Sequence, residues 1–367
     1  MLAGPLRVGQ QRLRIPLPDR VVRPAVDICG RSRIIHPGRS ALARAMPAGT
    51  TRLYRMAEEE GPDQDQANGV DAAKESGHDI VREDLDDHER EIVSSHEVAS
   101  ARLVHEIIRQ RGIDELERPA SALLWSAIAA GFVIGLSPFA IGIFTTEVAD
   151  GPWMPLLMAL GYSIGFIAVI SGRLQLFTES TITAVIPLAT TPCWRNFNRT
   201  LRLWAIVLAG NMVGTFAFAL FVHFNLAGQP EIGRQIEQNS LDAITLYMAA
   251  PFLKGIPAGF MLAALVWAMP NLERQEIFII AAITGLMHLG GVAHSIVGSA
   301  ELWITLLDGK IGVAQGLFGF LVPAVLGNVV GGGLLFALLA HAQVVPELDN
   351  GYVYGEERPR DRRNRRR

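Results

Sequence analysis

Six stretches of this chain, residues 121–146, 154–192, 203–224, 243–269, 277–307 and 311–341, are long and apolar enough to cross a bilayer as helices, the second, fourth and fifth with charges inside them. A spanning helix needs about 20 apolar residues at about 1.5 Å of rise each, because a backbone in hydrocarbon has no water to bond to. A water-soluble core has no need of such runs. The chain is 50% hydrophobic and 19% charged, and the charges gather before Arg118, in short loops and after Glu347. The expected fold class is an all-α membrane protein with six transmembrane helices.

Basic residues set the expected orientation, since Lys and Arg in short loops resist translocation. Arg195, Arg199 and Arg202 follow the second stretch, Arg274 follows the fourth, and the C-terminal end carries Arg358, Arg360, Arg362, Arg363 and Arg365 to Arg367. The opposite loops hold only Arg234 and Lys310. Six crossings of a plasma (inner) membrane with both termini cytoplasmic satisfy that distribution.

Five regions are expected along the chain. Residues 1–55 are Arg-rich, Pro-containing and free of Lys, with only Asp19 and Asp27 as acids and no helical or strand period. This segment is expected to be disordered, and the abrupt change of composition at Met56 makes that residue the expected start of translation. Residues 56–85 form an acidic disordered segment. Residues 86–118 are expected to form a cytoplasmic amphipathic helix, with Val93, Ala101, Val104, Ile107 and Ile108 near one face and an end at Gly112. Residues 119–343 make the six-span domain and 344–367 a basic cytoplasmic tail. The acidic segment offsets the arginines to a net charge of −3, so nucleic acid is not an expected partner.

The six stretches divide into two sets of three with the same punctuation. Gly131 and Gly135 in the first stretch match Gly255 and Gly259 in the fourth, and Gly210-Asn211-Met212-Val213-Gly214 matches Gly327-Asn328-Val329-Val330-Gly331. Three crossings per set make the two repeats inverted, an arrangement that places a site near the midplane beside broken helices. Taken singly, each small-residue pair is a packing device. The middle stretches carry polar residues at depth: Ser171-Gly172-Arg173-Leu174-Gln175-Leu176-Phe177-Thr178-Glu179-Ser180 in one, and Gly290-Gly291-Val292-Ala293-His294-Ser295-Ile296-Val297-Gly298-Ser299-Ala300-Glu301 in the other. Both are expected to be broken there. A charge at the bilayer centre costs at least about 2.5 kcal/mol, so these residues either pair inside protein or line water. Arg173, Glu179, Lys254 and Glu301 balance one another, and mutual pairing that pins helices is one expectation for them; lining a solute path is the other.

These residues resemble the formate/nitrite transporter family over roughly residues 118–343, as a divergent branch. Leu176-Phe177-Thr178 is similar to the loop that interrupts the family's second helix, His294-Ser295-Ile296 to the break in its fifth, and Gly255-Ile256 through Leu265-Val266-Trp267 to its fourth helix. The resemblance implies an aquaporin-like protomer in a homopentamer, each protomer with its own pore for small monovalent anions such as formate, nitrite or hydrosulfide, moving passively or with protons. It also implies two apolar constrictions around a central histidine, with Leu176, Phe177 and Thr178 in one constriction loop and His294 at the centre. Ser295 and Gly298 follow on the same path. Gly298, Gly259 and Gln175 stand where the family commonly has Asn, Asn and an acid, and the family's outer lysine falls on Ala243, leaving Lys254 and Arg173 as the available cations.

No metal constellation accompanies His288 or His294, and no phosphate loop or dinucleotide fingerprint occurs, so no cofactor is expected and transport should run down existing gradients. Two other classes remain open. An intramembrane hydrolase is thinly supported, since Ser137-Pro138 lacks a nucleophile elbow. A non-conducting membrane scaffold, closed by the departures above, is the other.

Overall fold

The computed structural model describes residues 99–349 apart from 227 and 273, and its regular elements are all helices, with no strand among the described residues. The expectations for residues 1–85, for Val93 and for the tail after 349 lie outside them. The helices run in order α1 (Ala101–Glu117), α2 (Ala120–Val133), α3 (Leu136–Glu147), α4 (Met154–Ser171), α5 (Ser180–Thr190), α6 (Trp194–His223), α7 (Pro230–Met248), α8 (Pro251–Ala268), α9 (Glu276–Leu289) and α10 (Ser295–Leu307). A last helical run follows, in which α11 (Val313–Gly316), α12 (Val322–Asn328) and α13 (Ala337–Asp349) alternate with π-helical turns at Leu317–Leu321 and Val329–Phe336. Among the described residues, five helices are long and apolar enough to cross a membrane: Ala120–Glu147, Met154–Ser171, Trp194–His223, Pro251–Asn271 and Val313–Pro346. The apolar α5, α9 and α10 are shorter.

The fourth expected stretch needs correction. Ala243 belongs to α7, an amphipathic helix that ends at Met248, and the apolar helix begins afresh at Pro251, where proline suits the first turn. The second and fifth stretches are interrupted at the polar segments, as their composition suggested. Helix α4 ends with Gly172 and Arg173, and α9 ends with Gly290 and Gly291. The closing bonds match one for one: Leu174 N to Val169 O at 3.1 Å and Val292 N to Met287 O at 3.2 Å wrap each helix end. Arg173 and Gly291 take the same left-handed position, at φ 51° and 59°.

Two asparagines hold the interrupted backbone. The Asn211 side chain accepts from Phe177 N at 2.9 Å and donates to Gln175 O at 3.0 Å and Ala127 O at 2.8 Å. The Asn328 side chain accepts from Ser295 N at 2.9 Å and donates to Ala293 O and Gly255 O, both at 2.9 Å. Each amide thus uses its carbonyl and both N–H groups, and each is fully buried. Gly131 lies directly on the Asn211 backbone and Gly259 on that of Asn328, where a Cβ would meet main chain. The small-residue motifs therefore bring the asparagine-bearing helices close enough to reach the breaks.

Helix α1 packs on the first break. It runs past the expected end at Gly112 to Glu117, because Gly112 sits inside the helix against the Thr183 carbonyl of α5, a contact that only a residue without a side chain permits. Glu115 accepts from Thr183 Oγ1 at 2.6 Å, Arg111 reaches Glu179 at 3.4 Å, and Arg118 donates to Gln175 Oε1 at 3.3 Å. Farther along, the rings of His105 and His341 meet through Nε2 and Nδ1 at 3.0 Å.

Two outcomes follow from this packing. Asn328→Leu removes three buried bonds at once and should lower the stability of the detergent-solubilised protein by about 3 kcal/mol, at roughly 1 kcal/mol per bond, as measured by thermal or denaturant unfolding. Burial, followed by the neighbouring His341, lowers the His105 pKa from 6.5 to about 4. Between those values the folded state binds fewer protons than the unfolded one, so the contribution of His105 is full above about pH 6.5 and is lost as pH falls toward 4. His105→Gln should flatten the acid-side fall in melting temperature across that window.

Candidate functional site

The two breaks meet at His294 and Thr178. Thr178 Oγ1 lies 2.8 Å from His294 Nε2, and the two residues are 0% and 1% exposed. His294 caps the start of α10, its Nδ1 accepting from Val297 N at 3.2 Å. With Nδ1 an acceptor, the neutral ring carries its proton on Nε2 and donates it to Thr178 Oγ1. The Thr178 hydroxyl hydrogen is then free to turn toward a third group. The Phe166 ring packs edge-on against the imidazole at 4.9 Å between centroids.

A cavity opens at each end of the helices that flank this contact. One cleft, of about 590 Å³, is lined by the C-terminal end of α4 through Ile170, by the N-terminal end of α9 through Glu276, and by Arg111, Arg118, Arg173, Gln175 and Glu179. The other cavity, of about 230 Å³, is lined by Met158 near the start of α4 and His288 near the end of α9, with Tyr247, Gly291 and Glu301. Twelve residues separate Met158 from Ile170 and Glu276 from His288, so the cavities lie about 18 Å apart along the same two helices. A file of rings spans much of that interval, from His288 to Tyr162 at 5.1 Å, Tyr162 to Phe166 at 5.3 Å, and Phe166 to His294 at 4.9 Å.

The charged residues do not pair as one expectation had them. Glu179 meets Arg111 of α1 rather than Arg173 or Lys254. Lys254 donates to the Leu246 carbonyl at 2.6 Å, while its own carbonyl accepts from Ala293 N at 3.0 Å. Arg173 is exposed on the wall of the larger cleft, and Glu301, 4% exposed, lines the smaller cavity with Oε2 unpartnered. Arg173 and Glu179 thus line the larger cleft and Glu301 the smaller cavity, because each break turns its polar residues toward a different end of the helices, while Lys254 on α8 lines neither. Leu176 and Phe177 are buried and line neither cavity; Phe177 packs on Trp204. Ser295 is buried with Oγ unpartnered. Gly298 gives the Phe320 ring its room, since a Cβ there would meet Phe320 Cζ, and Phe320 stacks on Tyr247 at 5.8 Å. Ser137 donates to the Tyr162 carbonyl, a structural use of its hydroxyl.

Several residues of this region carried no distinct signal in the sequence. Asn211 and Asn328 were visible as parts of small-residue motifs, yet an amide repeated in the middle of two apolar runs already implied a buried polar task. Arg111, Glu115 and Ser240 lie outside the apolar stretches or at their edges and read as ordinary surface residues.

Comparison with known proteins agrees with this architecture. The model of the formate/nitrite transporter family matches residues 102–342. The inner membrane protein YfdC of Escherichia coli (strain K12) is 39% identical over 250 residues, which cover 68% of this chain and 81% of that protein. The formate channel FocA of Haemophilus influenzae is 27% identical over 57% of this chain and 82% of its own length. Two solved structures share the fold. An FNT family ion channel superposes with a TM-score of 0.56 at 18% identity, covering 66% of this chain and 98% of that one, and a pentameric formate channel with formate bound gives 0.52 at 21%, covering 62% and 98%.

Proposed function

The chain belongs to the formate/nitrite transporter family, and on that premise we propose that it passes a small monovalent weak-acid anion, of the formate or nitrite kind, across the plasma (inner) membrane. Each protomer of a homopentamer has its own pore, built from six crossings in two inverted three-helix repeats, with α4–α5 and α9–α10 counting as one broken crossing each. The relatives named as inner membrane protein and formate channel, and the pentameric neighbour, support this reading. Both termini are cytoplasmic, and the arginine-lined cleft opens on that side. The path comprises Arg173, Glu179, Leu176, Phe177, Thr178, His294, Ser295, Gly298, Lys254 and Glu301.

The single observation that carries the reading is the buried contact between Thr178 and His294, set between two cavities at opposite ends of α4 and α9. An anion that crosses such a barrier sheds its water, which is prohibitive unless donors replace that water or a proton neutralises the charge. The His294 Nε2–H and the Thr178 hydroxyl are two donors at that point, and both α5 and α10 begin beside it, adding the partial positive charge of their N-termini. Arg173 draws anions into the cleft. Separation of Thr178 from His294 opens the path, and a solute oxygen between them takes both of their hydrogens.

A second reading, a non-conducting scaffold, is favoured by the same closed contact and is decided by flux. Purified protein in liposomes should pass formate or nitrite faster at lower pH, and chloride and acetate fluxes in the same preparation define selectivity; absence of flux for every anion would leave the scaffold. His294→Ala should alter selectivity or the pH profile, and an unchanged profile removes the central role of the ring. Arg173 occupies the left-handed position that the other half fills with Gly291, at a backbone cost of about 1 kcal/mol. Arg173→Gly should therefore keep or raise thermal stability while lowering anion flux; a falling stability with unchanged flux refutes the attraction role.

A further inference from the structure

The smaller cavity is chemically unlike a waiting room for anions. Three buried side-chain atoms on its wall lack a hydrogen-bond partner: Ser240 Oγ from α7, His288 Nδ1 from α9 and Glu301 Oε2 from α10. Ser240 and Glu301 are 1% and 4% exposed. A protein interior does not leave three such atoms bare; a polar occupant completes them. The cavity of about 230 Å³ has room for several waters at about 30 Å³ each.

Among the described residues, no Lys or Arg forms an ion pair with Glu301. Lys254 on α8 points its ammonium at the Leu246 carbonyl on the cavity rim. The titratable groups around the carboxyl are Tyr162 on α4, Asp242 and Tyr247 on α7, and His288 on α9. Helix α3 contributes Pro138 and Ile141 to the wall, and α6 meets α10 through the hydroxyls of Thr215 and Ser299. An ionised, unpaired carboxylate in this place repels an entering anion, and a proton on it removes that repulsion.

We propose that Glu301, with His288 across a small cluster of waters, is the proton-loading site of the transport path. Hydronium gives its proton to Glu301 Oε2 and leaves as water; the vestibule, relieved of the Glu301 charge, then admits the anion, and the carboxyl hands over the proton. The O–H bond of Glu301 breaks as that of the weak acid forms, the carboxylate is restored, and the undissociated acid moves along the Tyr162–Phe166 face to His294. Ser240 and His288 hold the waters that carry the incoming proton. This inference rests on the transport reading and names the source of the proton that accompanies the anion.

The test uses the full-length protein in liposomes, with formate as probe and protein-free vesicles as baseline. Wild-type flux, and proton entry reported by an internal pH dye, should both fall about tenfold per pH unit above the midpoint of the carboxyl. Glu301→Gln should reduce that dependence to less than about twofold and uncouple proton entry from formate. Infrared difference spectra should show a protonated-carboxyl band that titrates in the wild type and is missing from the variant. A variant that keeps the wild-type pH profile and the band overturns the proposal. Should the Gln variant fail to assemble, Glu301→Asp is expected to retain the dependence with a displaced midpoint, and an unmoved midpoint overturns it. Absence of wild-type flux for every anion refutes the transport reading itself. The infrared band then still decides whether Glu301 takes up a proton.

Discussion

A backbone that stops being helical in the apolar interior has peptide groups with nothing to bond to, and the whole arrangement depends on meeting that demand. Asn211 and Asn328 meet it, each giving three bonds to a different break and to a neighbouring helix. A single amide suffices because its one acceptor and two donors match the one N–H and two carbonyls presented to it. The glycines beside them exist for reach, since an amide on a helix 1 or 2 Å farther away would bond to neither. Packing and polarity are thus one device here, and the close helix crossings are the means by which the breaks stay rigid enough to carry a site.

That device explains what was legible beforehand. The repeated Gly-Asn-x-x-Gly elements, the polar interruptions and His294 all showed in the sequence, because a polar residue in an apolar run stands out against its neighbours. The boundary at Pro251 was obscured, since the last turns of α7 are apolar enough to merge with α8 in a hydropathy reading. The length of α1 was hidden for a different reason: Gly112 reads as a helix end in isolation, and only its contact with Thr183 shows that it was needed for close approach. Charge pairing was the least legible feature. Balance among Arg173, Glu179, Lys254 and Glu301 suggested partners, but the partner of Glu179 is on α1, outside every apolar stretch, and pairing is a matter of three-dimensional direction rather than of count.

The two halves share a frame and differ in chemistry. Their helix ends close with the same bonds, and counting from those closures sets Arg173 against Gly291, Gln175 against Ala293, Leu176 against His294 and Thr178 against Ile296. Each half therefore contributes one apolar and one polar residue to the pair of positions nearest the contact, in opposite order. In an arrangement with two-fold character such positions approach each other across the axis. The polar residue of one half then meets the polar residue of the other, as Thr178 meets His294. Had both halves carried the same residues, each polar side chain at the centre would face an apolar one across the contact and find no partner there.

The same asymmetry extends to the cavities. The guanidinium groups of Arg111, Arg118 and Arg173 line one cleft beside the carboxyls of Asp114, Glu115, Glu179 and Glu276, while the other has the carboxyl of Glu301 with no basic partner among the described residues. On the proposed path, an anion entering the first side meets guanidinium groups set among carboxyls. On the second side it meets an acid that has to change its own charge first. The two mouths of the proposed path need not respond to pH equally, even though the same threonine–histidine contact lies between them, because protonation of Glu301 acts on one mouth alone.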